Sequence, residues 1–364
     1  MKKEKLFVLE SLRGIAAISV AFFHFNTGSI FNNGFTNNAW IMVDFFFVLS
    51  GFVIALNYLE KISSWSDLIN FQKKRFLRLY PLHFIMLIVF LTIEIIKYFV
   101  EINFELTANN PAFSKNNFTS FCANLLLVQN WTLSSLTYNQ PSWSISSEFF
   151  IYTLFALIIL IFKNEKKIIF IVLLINILTF GLIINYYGIG AEGFRGNIRC
   201  IYSFSIGAII YHLYYKLREK FLFSSSTISL FITLFTFFVV INEGDKNSNF
   251  IELVPILFGI TILSIVLTAK NTLIYNLLSF NWMVYLGTIS YGIYMIHDAL
   301  WWVIKQILKF IFHYPIEIGE SGIRVIVINN VYLSSLISLI GILLVILLSH
   351  FSYNLIEKRF YKNY

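Results

Sequence analysis

Arg13 and His24 lie in one apolar stretch near the N-terminus. On a helix, an eleven-residue step is about 20° past three full turns and ~16 Å of rise. Both side chains therefore share a face, with Arg13 nearer the N-terminal end. Arginine is permanently charged and bidentate, which suits a phosphate. Histidine exchanges a proton near neutral pH, which suits acid–base work. One elongated ligand can touch both. The pair also reads as a snorkelling Arg beside a helix-packing His.

Other polar residues interrupt apolar sequence in the same way. Asp44 enters the run Val43-Asp44-Phe45-Phe46-Phe47-Val48-Leu49-Ser50-Gly51-Phe52. A carboxylate there must face a bundle interior or a water cavity. Holding an Arg or His, or capping a helix start, suits it better than chemistry. Gln140-Pro141-Ser142-Trp143-Ser144 reads as a helix start, with Glu148 in the first turns. An anion is favourable at that positive end, and an interfacial role there is the plainer reading. Ser290-Tyr291-Gly292-Ile293-Tyr294-Met295-Ile296-His297-Asp298 places a His-Asp pair in mid-helix. Adjacent helical residues diverge by about 100°, so those two should not pair with each other. Arg75 and Arg78 stand at i, i+3 in Lys73-Lys74-Arg75-Phe76-Leu77-Arg78. On a helix they share a face, and two guanidiniums bind a polyphosphate well. Taken alone, the run reads equally as positive-inside charge or a contact with anionic lipid.

These residues need elements that hold them away from water. Of 364 residues, 58% are apolar and 13% are charged, about half the charged fraction of a soluble domain. That excludes a disordered chain, a disulfide-rich secreted domain and an ordinary soluble enzyme. Ten stretches reach the roughly 20 apolar residues of a transmembrane helix. They lie near 12–30, 40–59, 79–100, 144–162, 168–187, 199–216, 222–241, 250–269, 283–311 and 328–352. The expected fold is an all-α polytopic membrane protein, one bundle of about ten transmembrane helices. With both termini cytoplasmic, most Lys and Arg fall on the inner side, densest at 60–78. The net charge of +8 then reports orientation, not a nucleic-acid partner. The N-terminus begins like a signal peptide, but Glu10, Arg13 and His24 interrupt it and it reads as a retained first helix. The longest polar stretch, 101–143, still carries Phe121, Leu125 and Trp131, so a short interfacial or re-entrant helix is expected there.

Several other patterns carry no weight. Gly188-Ile189-Gly190-Ala191-Glu192-Gly193 matches a dinucleotide fingerprint but follows a membrane helix rather than a strand. No pair of His or Cys has metal-ligand spacing, and no metal is expected. Cys122 and Cys200 are expected to stay unpaired. His83, His212, His313 and His350 are expected to be structural or interfacial.

As a set, the polar positions resemble those of the acyltransferase-3 family of bacterial integral-membrane acyltransferases. Arg13 and His24 match its first-helix pattern of a basic residue, ten residues, then His. Asp44 to Phe52 matches its Asp-aromatic-Phe-Val-Leu-Ser-Gly-Phe stretch. Arg75 and Arg78 match its Arg-x-x-Arg loop. Trp143, Ser144 and Glu148 match Trp-Ser-x-x-x-Glu. Ser290, Tyr291, Tyr294 and His297 match Ser-Tyr-x-x-Tyr-x-x-His. The chain departs from the family at Met42-Val43, where Gly often precedes the Asp, and at Asp298-Ala299, which puts an unusual carboxylate beside the site.

The resemblance implies transfer of an acyl group, usually acetyl, from cytoplasmic acyl-CoA to a sugar hydroxyl of an envelope glycan or its lipid-linked precursor. Acyl-CoA is then a donor substrate and no cofactor is held permanently. The implied location is the bacterial cytoplasmic membrane. Arg13, Arg75 and Arg78 would hold the CoA phosphates. His24 would be the general base, or form a transient acyl-His. Glu148 would orient the imidazole, stabilise imidazolium or bind sugar, and Asp44 would orient groups nearby. Trp143, Ser144, Tyr291 and His297 would form substrate-binding walls, with Trp143 stacking on the glycan near an outer mouth. Larger members carry a fused extracytoplasmic domain. Here 1–364 is expected to be a single transmembrane acyltransferase domain without one. A transporter or flippase for polysaccharide or lipid-linked sugar accounts for the same helices and buried charges without acyl chemistry. The absence of visible repeats weighs against it.

Overall fold

The computed structural model describes residues 6–104, 110–190, 192–244, 248, 250–318 and 324–361. It is a helical bundle. In chain order the helices are α1 (Phe7–Phe23), α2 (Gly34–Asn37), α3 (Met42–Tyr58), α4 (Trp65–Phe104), α5 (Phe118–Leu125) and α6 (Gln129–Thr132). Then come α7 (Trp143–Phe162), α8 (Glu165–Leu182), α9 (Phe194–Leu217), α10 (Thr227–Glu243) and α11 (Val254–Val266). The last are α12 (Leu273–Leu278), α13 (Asn281–Thr288), α14 (Ser290–Phe310), α15 (Val331–Ser352) and α16 (Lys358–Tyr361). Short strands β1 (Ile316–Ile318) and β2 (Arg324–Ile326) form an antiparallel pair with Glu317 opposite Val325.

All ten apolar stretches overlap helices. Among the described residues, five helical segments are long and apolar enough to cross a membrane: Ala39–Tyr58, Trp65–Phe104, Gln140–Phe162, Glu165–Tyr187 and Val331–Phe360. Their outer faces are apolar. On α8, Phe170, Ile177 and Leu178 are exposed, and on α10 so are Phe231, Leu234 and Phe238. A water-soluble surface rarely presents such a continuous apolar face, whereas lipid accepts it.

Two boundaries differ from those expected. The third stretch was placed at 79–100, yet α4 begins at Trp65 and carries the basic run and Pro81 within it. Asp67 receives the hydroxyls and backbone N–H groups of Ser63 and Ser64, which closes its start. The stretch 283–311 divides at Ile289 into α13 and α14. Gly287 lies against the backbone of Glu10, where a Cβ would clash, so α13 packs directly on α1. The polar segment before α7 holds two short helices, α5 and α6. Asn117 caps the first by accepting from Ser120 N at 2.9 Å.

Small residues set the bundle centre. A Cβ on Gly51 would meet the carbonyl of Phe204, and one on Gly207 would meet that of Val48. Helices α3 and α9 therefore touch backbone to backbone, the close approach that glycine permits between membrane helices.

Candidate active site

An open cavity of about 690 Å³ lies between α1, α3, α4, α7 and α14. Arg13 enters from α1, Arg75 and Arg78 from α4, Ser144 and Glu148 from α7, and Tyr291 from α14. Six residues singled out in sequence thus meet in one place. Their spacing explains the convergence. Arg75 and Arg78 sit one turn apart on α4, and Ser144 and Glu148 one turn apart on α7.

The guanidiniums are held differently. Arg13 Nη1 donates to Glu10 Oε2 at 3.0 Å. Arg75 is buried, donates to the Tyr58 hydroxyl at 3.1 Å, and packs over the rings of Tyr58 and Phe71 at 5.4 and 5.7 Å. Arg78 lines the same cavity one turn on. Three cations around one space make a strong anion site.

Glu148 lines the same cavity. Its Oε1 accepts from the hydroxyls of Ser50 and Tyr152. Ser144 Oγ and the Tyr294 hydroxyl lie 2.8 Å apart, and Tyr294 also donates to Pro141 O at 2.9 Å. Tyr291 donates to Leu79 O at 2.5 Å, tying α14 to α4. The cavity lining therefore combines three guanidiniums with hydroxyls grouped around one carboxylate.

His24 does not line it. The helical pattern of α1 ends at Phe23, and His24 follows in a near-helical conformation. Its ring meets that of His297 edge-on, with centroids 5.0 Å apart and planes at 76°. Tyr294 stands between this pair and the cavity, its ring 6.0 Å from His297. Arg13 and His24 do share a helix face, as their spacing requires. The lower end of that face opens on the cavity and the upper end on His297.

Three expectations drawn from the resemblance need correction. Asp44 is no orienter at the cavity; it holds an Arg, the role its sequence context favours. It is fully buried and bound by Arg199, whose Nε and Nη2 lie 2.9 and 2.5 Å from Oδ2, and by Ser203 Oγ at 2.8 Å. Nor does Glu148 reach His24, since its bonds run to α3 and to its own helix. Among the described residues neither carboxylate hydrogen-bonds the imidazole. Trp143 is no open stacking platform either. It is buried, edge-on to Phe47, beneath the Arg199 guanidinium at 5.5 Å, and so close to Gly196 that a Cβ there would clash. Cys122 and Cys200 are free. His83 meets Asn124 O at 2.8 Å, and His212 meets Glu165 at 2.8 Å.

Sequence reasoning missed Arg199, Ser50, Tyr152 and Lys305. Arg199 stands at the start of the stretch 199–216, and it is the cation that the lone Asp44 required. Tyr152 stands four residues after Glu148 on the same helix face, a visible signal. Ser50 carried none.

Comparison with known proteins decides the lineage. The acyltransferase-3 family model, described as an acyltransferase domain, matches residues 7–358. The chain belongs to this acyltransferase family. It is also similar to the O-acetyltransferase OatA of Staphylococcus aureus strain NCTC 8325 / PS 47, 24% identical over 373 residues. That alignment covers 96% of this chain and 56% of the relative. The OatA sequences of strains COL and MRSA252 match to the same extent. The chain thus spans little more than half the length of the curated relatives it matches. No solved structure matches it significantly. The family match covers all the site helices, and Arg13, Arg75, Arg78, Ser144, Glu148 and Tyr291 line the cavity from motif positions that carried the resemblance.

Proposed function

We propose that the chain is a membrane O-acyltransferase. It moves an acyl group, acetyl in the first instance, from cytoplasmic acyl-CoA to a hydroxyl of a cell-surface glycan or its lipid-linked precursor. The observation that carries this reading is the convergence of Arg13, Arg75 and Arg78 with Glu148 on one cavity. Coenzyme A is anionic at one end and ends in a slender thioester arm. Three guanidiniums suit its phosphates, and the arm runs along the shared face of α1 past Tyr294 toward His24. There the imidazole takes the hydroxyl proton as the oxygen attacks the thioester carbon.

In this reading the ten helices lie in the bacterial cytoplasmic membrane with both termini inside, which places the basic run of α4 at the cytoplasmic mouth. The family match and the OatA names support acyl transfer over bare transport. The test follows labelled acetyl into envelope polysaccharide in cells carrying the wild type, His24→Ala or an empty vector, at matched membrane levels. Label in glycan only with the wild type is expected. Equal label in all three overturns the proposal.

A further inference from the structure

The end of α1 that carries His24 is gripped by one face of α14. Trp301 Nε1 donates to Ala21 O at 2.8 Å, and its ring stacks on Phe25 with centroids 4.0 Å apart. Lys305 Nζ donates to His24 O at 3.3 Å. The last four carbonyls of a helix lack partners within it, and a cation is favourable at that negative end. His297, Trp301 and Lys305 follow at four-residue steps, so one stripe of α14 serves the whole segment.

His297 completes the stripe. It is fully buried, and its Nδ1 lies 3.1 Å from Ile293 O. A carbonyl oxygen can only accept, so Nδ1 carries the ring hydrogen. A neutral imidazole has one N–H, which leaves Nε2 a bare acceptor. Buried Nε2 has no hydrogen-bond partner among the described residues. The Tyr294 hydroxyl is engaged by Ser144 and Pro141 and does not compete for it. Asp298 acts electrostatically on Lys305. The ring that packs on His297 is that of His24, at 5.0 Å. The other titratable group acting on His24 is Lys305, also from α14.

Resting on the reading of His24 as the base, we propose that His297 is its positioning residue. Nε2 of His297 accepts the N–H of one His24 nitrogen and so keeps the other nitrogen bare for the acceptor hydroxyl. A second histidine thus takes the place that a carboxylate often fills beside a catalytic imidazole. Such bonds are commonly long without substrate and tighten when it binds. In the transfer, the hydroxyl oxygen bonds to the thioester carbon and its proton passes to His24. The carbon–sulfur bond breaks, and the departing CoA thiolate takes the proton back. Between those events His24 is imidazolium, and its bond to His297 is charge-assisted. His297 stays neutral throughout, its own proton on Nδ1 and donated to Ile293 O.

The test measures acetyl-CoA turnover by the purified full chain, as thiol release against pH. The proteins are the wild type, His24→Ala, His297→Phe and His297→Gln, and thermal melting of each checks the fold. Glutamine restores an acceptor oxygen and phenylalanine does not. His297→Phe is expected to lower kcat about tenfold to a hundredfold, the loss of one hydrogen bond to a charged group. KM for acetyl-CoA should stay within about twofold. The acid limb of kcat should move to lower pH, because imidazolium loses its acceptor. His297→Gln should recover most of the rate. Wild-type kcat and pH profile in His297→Phe overturn the inference. Equal losses in the Phe and Gln variants also overturn it, since they mark a packing role. Absent turnover in the wild type, or full turnover in His24→Ala, instead overturns the reading of His24 on which it rests.

Discussion

Arg199 grips Asp44 with two nitrogens, at 2.9 and 2.5 Å from one carboxylate oxygen, joining α9 to α3 at the centre of the bundle. Both groups are almost fully buried. The guanidinium also lies over Trp40 at 4.9 Å and donates to Trp40 O at 3.3 Å. A buried pair of this kind is weak evidence of net stabilisation, but losing one partner strands a charge. Asp44→Ala is therefore expected to destabilise the protein by about 3–5 kcal/mol. Thermal melting in detergent should show it. Any folded fraction should keep near-normal acetyl-CoA affinity, because Asp44 lies outside the cavity. A large loss of affinity at unchanged stability would contradict this account.

The cations of the cavity give a prediction in affinity instead. Arg78→Ala removes a guanidinium that lines the cavity. Hydrogen bonds to charged groups contribute roughly 1.5–3 kcal/mol each, so the acetyl-CoA Kd should rise about tenfold to a hundredfold. Calorimetric titration reads this loss. Arg75→Ala removes the bond to Tyr58 and the packing on Phe71 as well, so it should lose both affinity and stability.

How much of this was legible follows from which residues depend on one helix and which on two. Arg75 with Arg78, and Ser144 with Glu148, are periodic on single helices, and their convergence on one cavity was within reach of spacing and motif. Arg13 and His24 share a face as their spacing demands. What the spacing does not contain is the neighbour that each residue meets. Arg199 lay in the sequence as a charge at a helix end, and only the packing of α9 on α3 makes it the partner of Asp44. His24 was expected beside a carboxylate, but α14 presents His297 there instead. The division at Ile289 was hidden because no proline or long polar run marks it in 283–311. The contact of Gly287 with Glu10 beside it is a fact about two helices.

Glu148 depends on hydroxyl donors from two helices, Ser50 on α3 and Tyr152 on α7. Removing one leaves the carboxylate with the other. Tyr152→Phe and Ser50→Ala are each expected to cost about 1–3 kcal/mol. The double variant should cost more than the sum, because Glu148 then has neither of these donors. A double-mutant cycle on melting curves reads this coupling. Strict additivity would mean that the two hydroxyls do not act on the same carboxylate.

A backbone-to-backbone approach in the bundle sets the last expectation. Helices α3 and α9 meet through Gly51 and Gly207, and each glycine faces a carbonyl of the other helix where a Cβ would stand. Neither neighbour is the movable end of a side chain, so an added methyl must push backbones apart. Overpacking of a tight interior typically costs 1–3 kcal/mol and occasionally more. Separating these helices would also stretch the Asp44–Arg199 pair that spans them. Gly207→Ala is therefore expected to cost about 3 kcal/mol or more, seen as loss of folded protein in membranes. Gly181, on α8, has open space around its Cβ position. Gly181→Ala should fold as well as the wild type or gain up to about 1 kcal/mol from helix propensity. Matched expression of the two alanine variants, followed by size-exclusion profiles in detergent, tests the contrast. Equal yields would show that α3 and α9 do not depend on backbone contact.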